Sequence, residues 1–145
     1  MITLALGPES ARFLAADGRP LSAALPLGAT ALRAQWLRHD PPTALEVEAA
    51  IEAVEDLVMP LHGRWPTEAG LRVQLQDPAA AAVAAIAGPD FDREQLELLF
   101  DRAAAIALGR PGSSDPLLAD VRVIAILLVI REAMHHLGFT QAALR

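Results

Sequence analysis

The chain has no cysteine and no tyrosine, and lysine and asparagine are missing as well. Each absence removes a class of chemistry. Without cysteine there is no disulfide, no thiolate metal site and no cysteine nucleophile. Without lysine there is no Schiff base, no pyridoxal-phosphate anchor and no phosphate-gripping lysine of a nucleotide loop. All 12 basic residues are arginine. Codon use in a GC-rich genome accounts for the pattern, since Lys, Asn and Tyr have AT-rich codons, and the exclusions hold whatever its origin. Aromatics are scarce too, with four Phe and two Trp. Much of the apolar content is alanine, so a core must rely on close backbone approach as well as on bulky side chains.

Clustered positive charge is also lacking. The formal net charge is −6 and the arginines are scattered, whereas a nucleic-acid binder carries a basic stripe. No basic segment precedes the short apolar run of Met1–Ser10, so a signal peptide is not expected. Leu117–Ile130 falls short of the ~20 residues of a membrane span and contains Asp120 and Arg122. A bacterial cytoplasmic protein, with neither nucleic acid nor membrane as partner, is the expectation.

What is present suits one domain. A chain of 145 residues, 53% apolar, buries roughly 68–70% of its unfolded surface and is not disordered. Ile2–Leu6 alternates at strand period, Gly7-Pro8 breaks it, Ala11–Ala16 follows, and Asp17-Gly18 supplies a hairpin turn into Leu21–Leu25. This reads as an antiparallel meander over residues 1–28. Residues 29–145 read as mainly helical, with a strand near 71–76. Ala29–Arg38 is a short, ambiguous helix. Thr43-x-x-Glu46 is a capping box opening a helix that Pro60 ends, with Glu48, Glu52, Glu55 and Asp56 assigned to its outer face. Leu71–Gln76 alternates and reads as an edge strand. Asp77-Pro78 opens an alanine-rich helix to Ala87, and Asp90 or Asp92 caps another through Leu108.

The final segment, Asp115–Gly138, carries eight consecutive apolar residues, Val123–Ile130, ahead of Arg131-Glu132-x-x-His135-His136. Its β-branched content also suits a buried strand. Its length, its start and stop signals and the helical spacing of Met134 and Leu137 favour one long central helix. The resulting fold class is α+β: a small antiparallel sheet, the meander plus one later strand, packed against about four helices with the C-terminal helix central.

On that helix Arg131 pairs with His135, and Glu132 with His136, four residues apart. Glu-x-x-His is half of a di-iron arrangement, but only one copy exists, so no metal and no cofactor are expected. Histidines at a helix carboxyl end also offset its dipole. Gly109–Ser114 ahead of the helix offers glycine and serine donors with Arg110 for a small anion, although Asp115 beside it would repel one. His62 and Trp65 lie in a Gly/Pro-interrupted loop that suits a groove or a lid. His39-Asp40 reads as a solvated loop end, and no serine sits in a Gly-x-Ser-x-Gly elbow. The strand–Gly–strand opening is similar to the first hairpin of actin-like ATPases. It lacks the aspartate that fold places in the first strand, and the chain is too short for it, so no family is assigned.

Two readings of function follow. One is a non-enzymatic cytoplasmic interaction protein (an assembly factor, adaptor or regulatory partner), dimeric through an exposed apolar patch. The alternative is a small-ligand-binding domain or enzyme using histidine acid–base chemistry on an anionic substrate, near the end of the C-terminal helix. The candidate pocket or interface residues are Arg131, Glu132, His135, His136, His62, Trp65 and Arg110.

Overall fold

The computed structural model describes residues 1–145. Ile2–Leu6 (β1) and Ala11–Leu14 (β2) pair antiparallel around the Gly7–Ser10 turn, with Leu4 opposite Phe13 and Ala5 opposite Arg12. The chain then forms α1 (Ala29–Gln35) and α2 (Ala44–Val58) before returning as β3 (Gly70–Leu75). After α3 (Ala80–Ala87) come β4 (Asp90–Asp92) and α4 (Arg93–Ala107). A short α5 (Pro116–Ala119) leads into α6 (Val121–Leu137), and β5 (Gln141–Leu144) closes the chain. The class is α+β as expected, with the C-terminal helix at its centre.

The sheet departs from the expectation in kind. Its five strands run in the order β2-β1-β3-β5-β4, and β3 lies parallel to both β1 and β5. The sheet is therefore mixed, not antiparallel. Parallel neighbours need a long crossover, and the helices between these strands supply it. The alternation of Leu71–Leu75, read as an edge strand, instead marks a central strand with one open face. The third meander strand at Leu21–Leu25 is absent; only isolated bridges join Ala11 to Leu25 and Leu14 to Pro20.

Both crossovers step the same way across the sheet, and crossovers of one hand then place their helices on one face. Leu4, Phe13, Leu71, Val73, Phe91 and Ala142 are buried against those helices. On the opposite face Arg12, Arg72, Gln74, Asp90, Asp92 and Gln141 meet solvent.

The last quarter is not a single rod. Asp120, in extended backbone, breaks Asp115–Gly138 into α5 and α6. Its carboxylate accepts from the Arg122 amide at 2.8 Å and so caps α6. Val123–Ile130 is buried on every side, as a helix apolar all round must be. Gly138, in the left-handed region at φ 80°, ends the helix. No helix is long and apolar enough to cross a membrane.

Candidate functional site

Polar side chains gather at both ends of α6. At its carboxyl end, beside the start of β5, Glu132 is buried with its side chain 2% exposed. Its Oε1 accepts from Arg131 Nη1 at 3.0 Å, and its Oε2 lies 3.1 Å from His136 Nε2. Burial pushes the Glu132 carboxyl above the ordinary range, and the charges of Arg131 and His136 offset only part of that rise. His136 Nε2 also lies 3.2 Å from Oε1 of Glu55, and the His136 carbonyl accepts from His62 Nδ1 at 3.0 Å. Arg131 is held on two sides. Its Nε donates to Glu97 at 3.0 Å and its guanidinium sits 4.6 Å above the centre of the Phe100 ring.

The structure thus unites Arg131, Glu132, His136 and His62. The expected Arg131–His135 pair does not form, because Glu97 on α4 takes the guanidinium; His135 is exposed, edge-on to His136. Glu55 was assigned to the outer face of α2, yet it turns toward α6. Trp65 packs on Phe13 with ring centres 5.6 Å apart, at the fringe of the core. Arg110 stays exposed on its loop. That loop forms a 3₁₀ turn closed by Ser114 Oγ on the Pro111 carbonyl, and Arg102 holds Asp115. Two open concavities of about 440 and 480 Å³ lie against β4–β5 and between α1 and α2; neither is lined by a histidine.

The other end of α6 meets the sheet where β1 and β3 terminate. There the Asp77 carboxylate takes Arg122 Nε at 3.1 Å and Nη2 at 3.2 Å, and the same Nη2 donates to Thr30 Oγ1 at 2.9 Å. Asp77 also caps the Ala79 amide at 2.8 Å. Thr30 in turn donates its amide to the Pro8 carbonyl at 2.9 Å, seating the β1–β2 turn on the start of α1. Only glycine fits at position 28, since a Cβ there would stand 2.1 Å from the Pro8 oxygen. Arg122 Nη1 has no hydrogen-bond partner in the protein. The Arg122 guanidinium is held further above its ordinary range by the Asp77 hydrogen bond against the cost of burial, with help from the charges of Asp120 and Glu9. Asp40 and Asp120 each cap an α6 amide, whereas the Glu9 carboxylate is exposed and takes no donor.

Residue-by-residue reading missed this cluster, because its members lie on four separate segments. One signal was available: an arginine and an aspartate interrupting a run of apolar residues need partners when that run is buried.

No protein-family model and no curated protein matches the sequence. Solved structures do. The type II variant of the Aquifex aeolicus Ppx/GppA phosphatase matches 99% of this chain at a TM-score of 0.74 and 16% identity, over 52% of its own length. A second structure of the Aquifex aeolicus family member gives 0.73 and 15%, again over 99% of this chain and 51% of its own. An exopolyphosphatase-like protein gives 0.64 and 12%, over 99% and 53%. The reading as a non-enzymatic assembly factor, adaptor or regulatory partner is corrected by these likenesses, because the architecture is one that phosphatases use. Of the two readings the alternative stands nearer to these likenesses, a small-ligand-binding domain or enzyme using histidine acid–base chemistry on an anionic substrate near the end of the C-terminal helix. They bear on its enzyme part and not on the histidines. The chain shares the fold of these Ppx/GppA-type structures and spans about half their length.

Proposed function

We propose that this chain is a phosphate-handling domain of a cytoplasmic hydrolase, acting on phosphoanhydride chains of the polyphosphate kind. The observation that carries the reading is the likeness in fold over 99% of the chain to Ppx/GppA-type structures. The place follows from the sheet. Open α/β sheets bind ligands outside the carboxyl ends of their parallel strands, and that is where β1 and β3 deliver the Arg122 cluster. The end of α6 that carries His136 leads into β5 and so lies at the amino ends of the parallel strands, away from this place.

Arg122 is pre-oriented by Asp77 and Thr30, so its free Nη1 can grip a phosphate oxygen without further ordering. Glu9, the unpartnered carboxylate on the β1–β2 turn, orients a water. That water attacks the terminal phosphorus, its proton passes to Glu9, and the bond to the bridging oxygen breaks. The leaving phosphate takes a proton from solvent.

Calorimetric titration with magnesium tripolyphosphate tests the binding step. We expect one site per chain, weakened at least tenfold by Arg122→Lys, which keeps the charge but cannot hold Asp77 in two places. Orthophosphate release from long-chain polyphosphate should fall in Glu9→Gln with binding intact. Absence of tripolyphosphate binding at millimolar concentration would overturn the reading.

A further inference from the structure

At the carboxyl end of α6, away from the Arg122 cluster, three potential metal ligands converge from two packed helices. We infer that Glu55, Glu132 and His136 form a binding site for one divalent first-row transition ion of the zinc class. One oxygen from each carboxylate and one imidazole nitrogen lie within 4.8 Å of one another. The nitrogen stands 3.2 Å from Glu55 Oε1 and 3.1 Å from Glu132 Oε2. Ligand atoms on a tetrahedron with metal bonds of roughly 2.0–2.1 Å stand about 3.3–3.4 Å apart, so small side-chain adjustments admit an ion. Two oxygens and one imidazole nitrogen, with a fourth position left for water, is a donor set that zinc accepts.

A second observation points the same way. His136 Nε2 carries at most one proton, and only its contact with Glu55 has hydrogen-bond alignment. Glu132 Oε2 faces the same nitrogen at 3.1 Å from a side chain 98% buried, so two carboxylates share one imidazole nitrogen. A cation between the three groups satisfies both carboxylates and the imidazole lone pair together. The surrounding charge agrees, since Glu55, Glu97 and Glu132 confront the single guanidinium of Arg131.

The outer coordination layer is already built. Arg131 holds Glu132 by Oε1, leaving Oε2 for the metal, and is itself fixed by Glu97 and Phe100. The backbone of His136 is pinned by His62. The Glu55 side chain is 36% exposed and His136 17%, which gives an ion a path inward from α2. Nothing here depends on the phosphate reading, which concerns the other end of α6.

Zinc titration of the full chain by calorimetry, with cobalt as a spectroscopic probe, tests the inference. We expect one zinc per chain with micromolar or tighter affinity at pH 7.5. Bound cobalt should show the intense visible bands of a four- or five-coordinate site. Glu55→Ala, a partly exposed change that leaves the core intact, and His136→Ala should each weaken zinc at least tenfold and abolish those bands. His135→Ala should not. Zinc should raise the melting temperature of the parent chain and not of Glu55→Ala. Failure of the parent chain to bind, or binding that Glu55→Ala and His136→Ala leave unchanged, would overturn the site.

Discussion

Asp77 grips Arg122 side-on, Oδ1 to Nε at 3.1 Å and Oδ2 to Nη2 at 3.2 Å, and so ties the loop after β3 to the first turn of α6. The carboxylate is 1% exposed and the arginine 23%. A contact of this burial is held in place by both partners, and losing one leaves the other charge stranded.

Asp77→Ala should therefore cost about 2–4 kcal/mol in urea unfolding, at or below the range for breaking a fully buried pair because Arg122 keeps some water. The double variant Asp77→Ala/Arg122→Met should recover part of that loss. A double variant no more stable than Asp77→Ala would show that the damage comes from the lost Ala79 cap and not from the orphaned guanidinium.

The two glycines near the β1–β2 turn make opposite predictions. A Cβ on Gly28 meets the Pro8 backbone oxygen at 2.1 Å, whereas one on Gly7 finds its nearest neighbour at an ordinary 3.5 Å. Gly28→Ala must push the turn off α1 and should cost about 1–3 kcal/mol or more, the scale of overpacking. Gly7→Ala should shift the thermal midpoint little. Equal shifts for the two variants would contradict the seating of the turn.

Glu46 sets a pH dependence. Burial pushes its carboxyl up, but the Thr43 and Arg38 amides and the His39 ring outweigh it and bring the value down from 4.5 to about 2. A carboxyl depressed in the folded state adds stability above its unfolded value and loses it as pH falls toward the folded one. Glu46→Gln keeps the shape of the cap and removes the charge. The parent should exceed it by about 0.5–1 kcal/mol at neutral pH, the worth of a carboxylate at a helix start. The gap should close between about pH 4.5 and pH 2. Denaturation midpoints across that window provide the measurement.

Legibility in the sequence followed the range of the interactions. The capping box at Thr43 and Glu46 is written within four residues, and it forms as read; Asp92 and Gln95 repeat it at the head of α4. The burial of Val123–Ile130 was equally plain. The parallel pairing was not, because Ile2–Leu6 meets Leu71–Leu75 only through the crossover between them, and no local pattern distinguishes that partner from a hairpin neighbour. β5, at Gln141–Leu144, is an alanine-rich tetrapeptide with no alternation to read. Glu55 was misplaced because helical spacing separates an apolar stripe from a polar one but does not show that a second helix approaches the border between them. Asp77 and Arg122 are 45 residues apart, and their meeting is a property of the fold alone.

The strand order leaves the sheet little to offer a stray polypeptide. Its long parallel members are interior, so both their hydrogen-bonding flanks are already engaged. One rim, β2, is screened by the bridges to Pro20 and Leu25. The other, β4, spans three residues and bears an aspartate at each end. Short, charged or covered margins resist templated accretion. A domain this rich in alanine and aliphatic side chains is thereby shielded against fibrillar growth at the rims of its sheet.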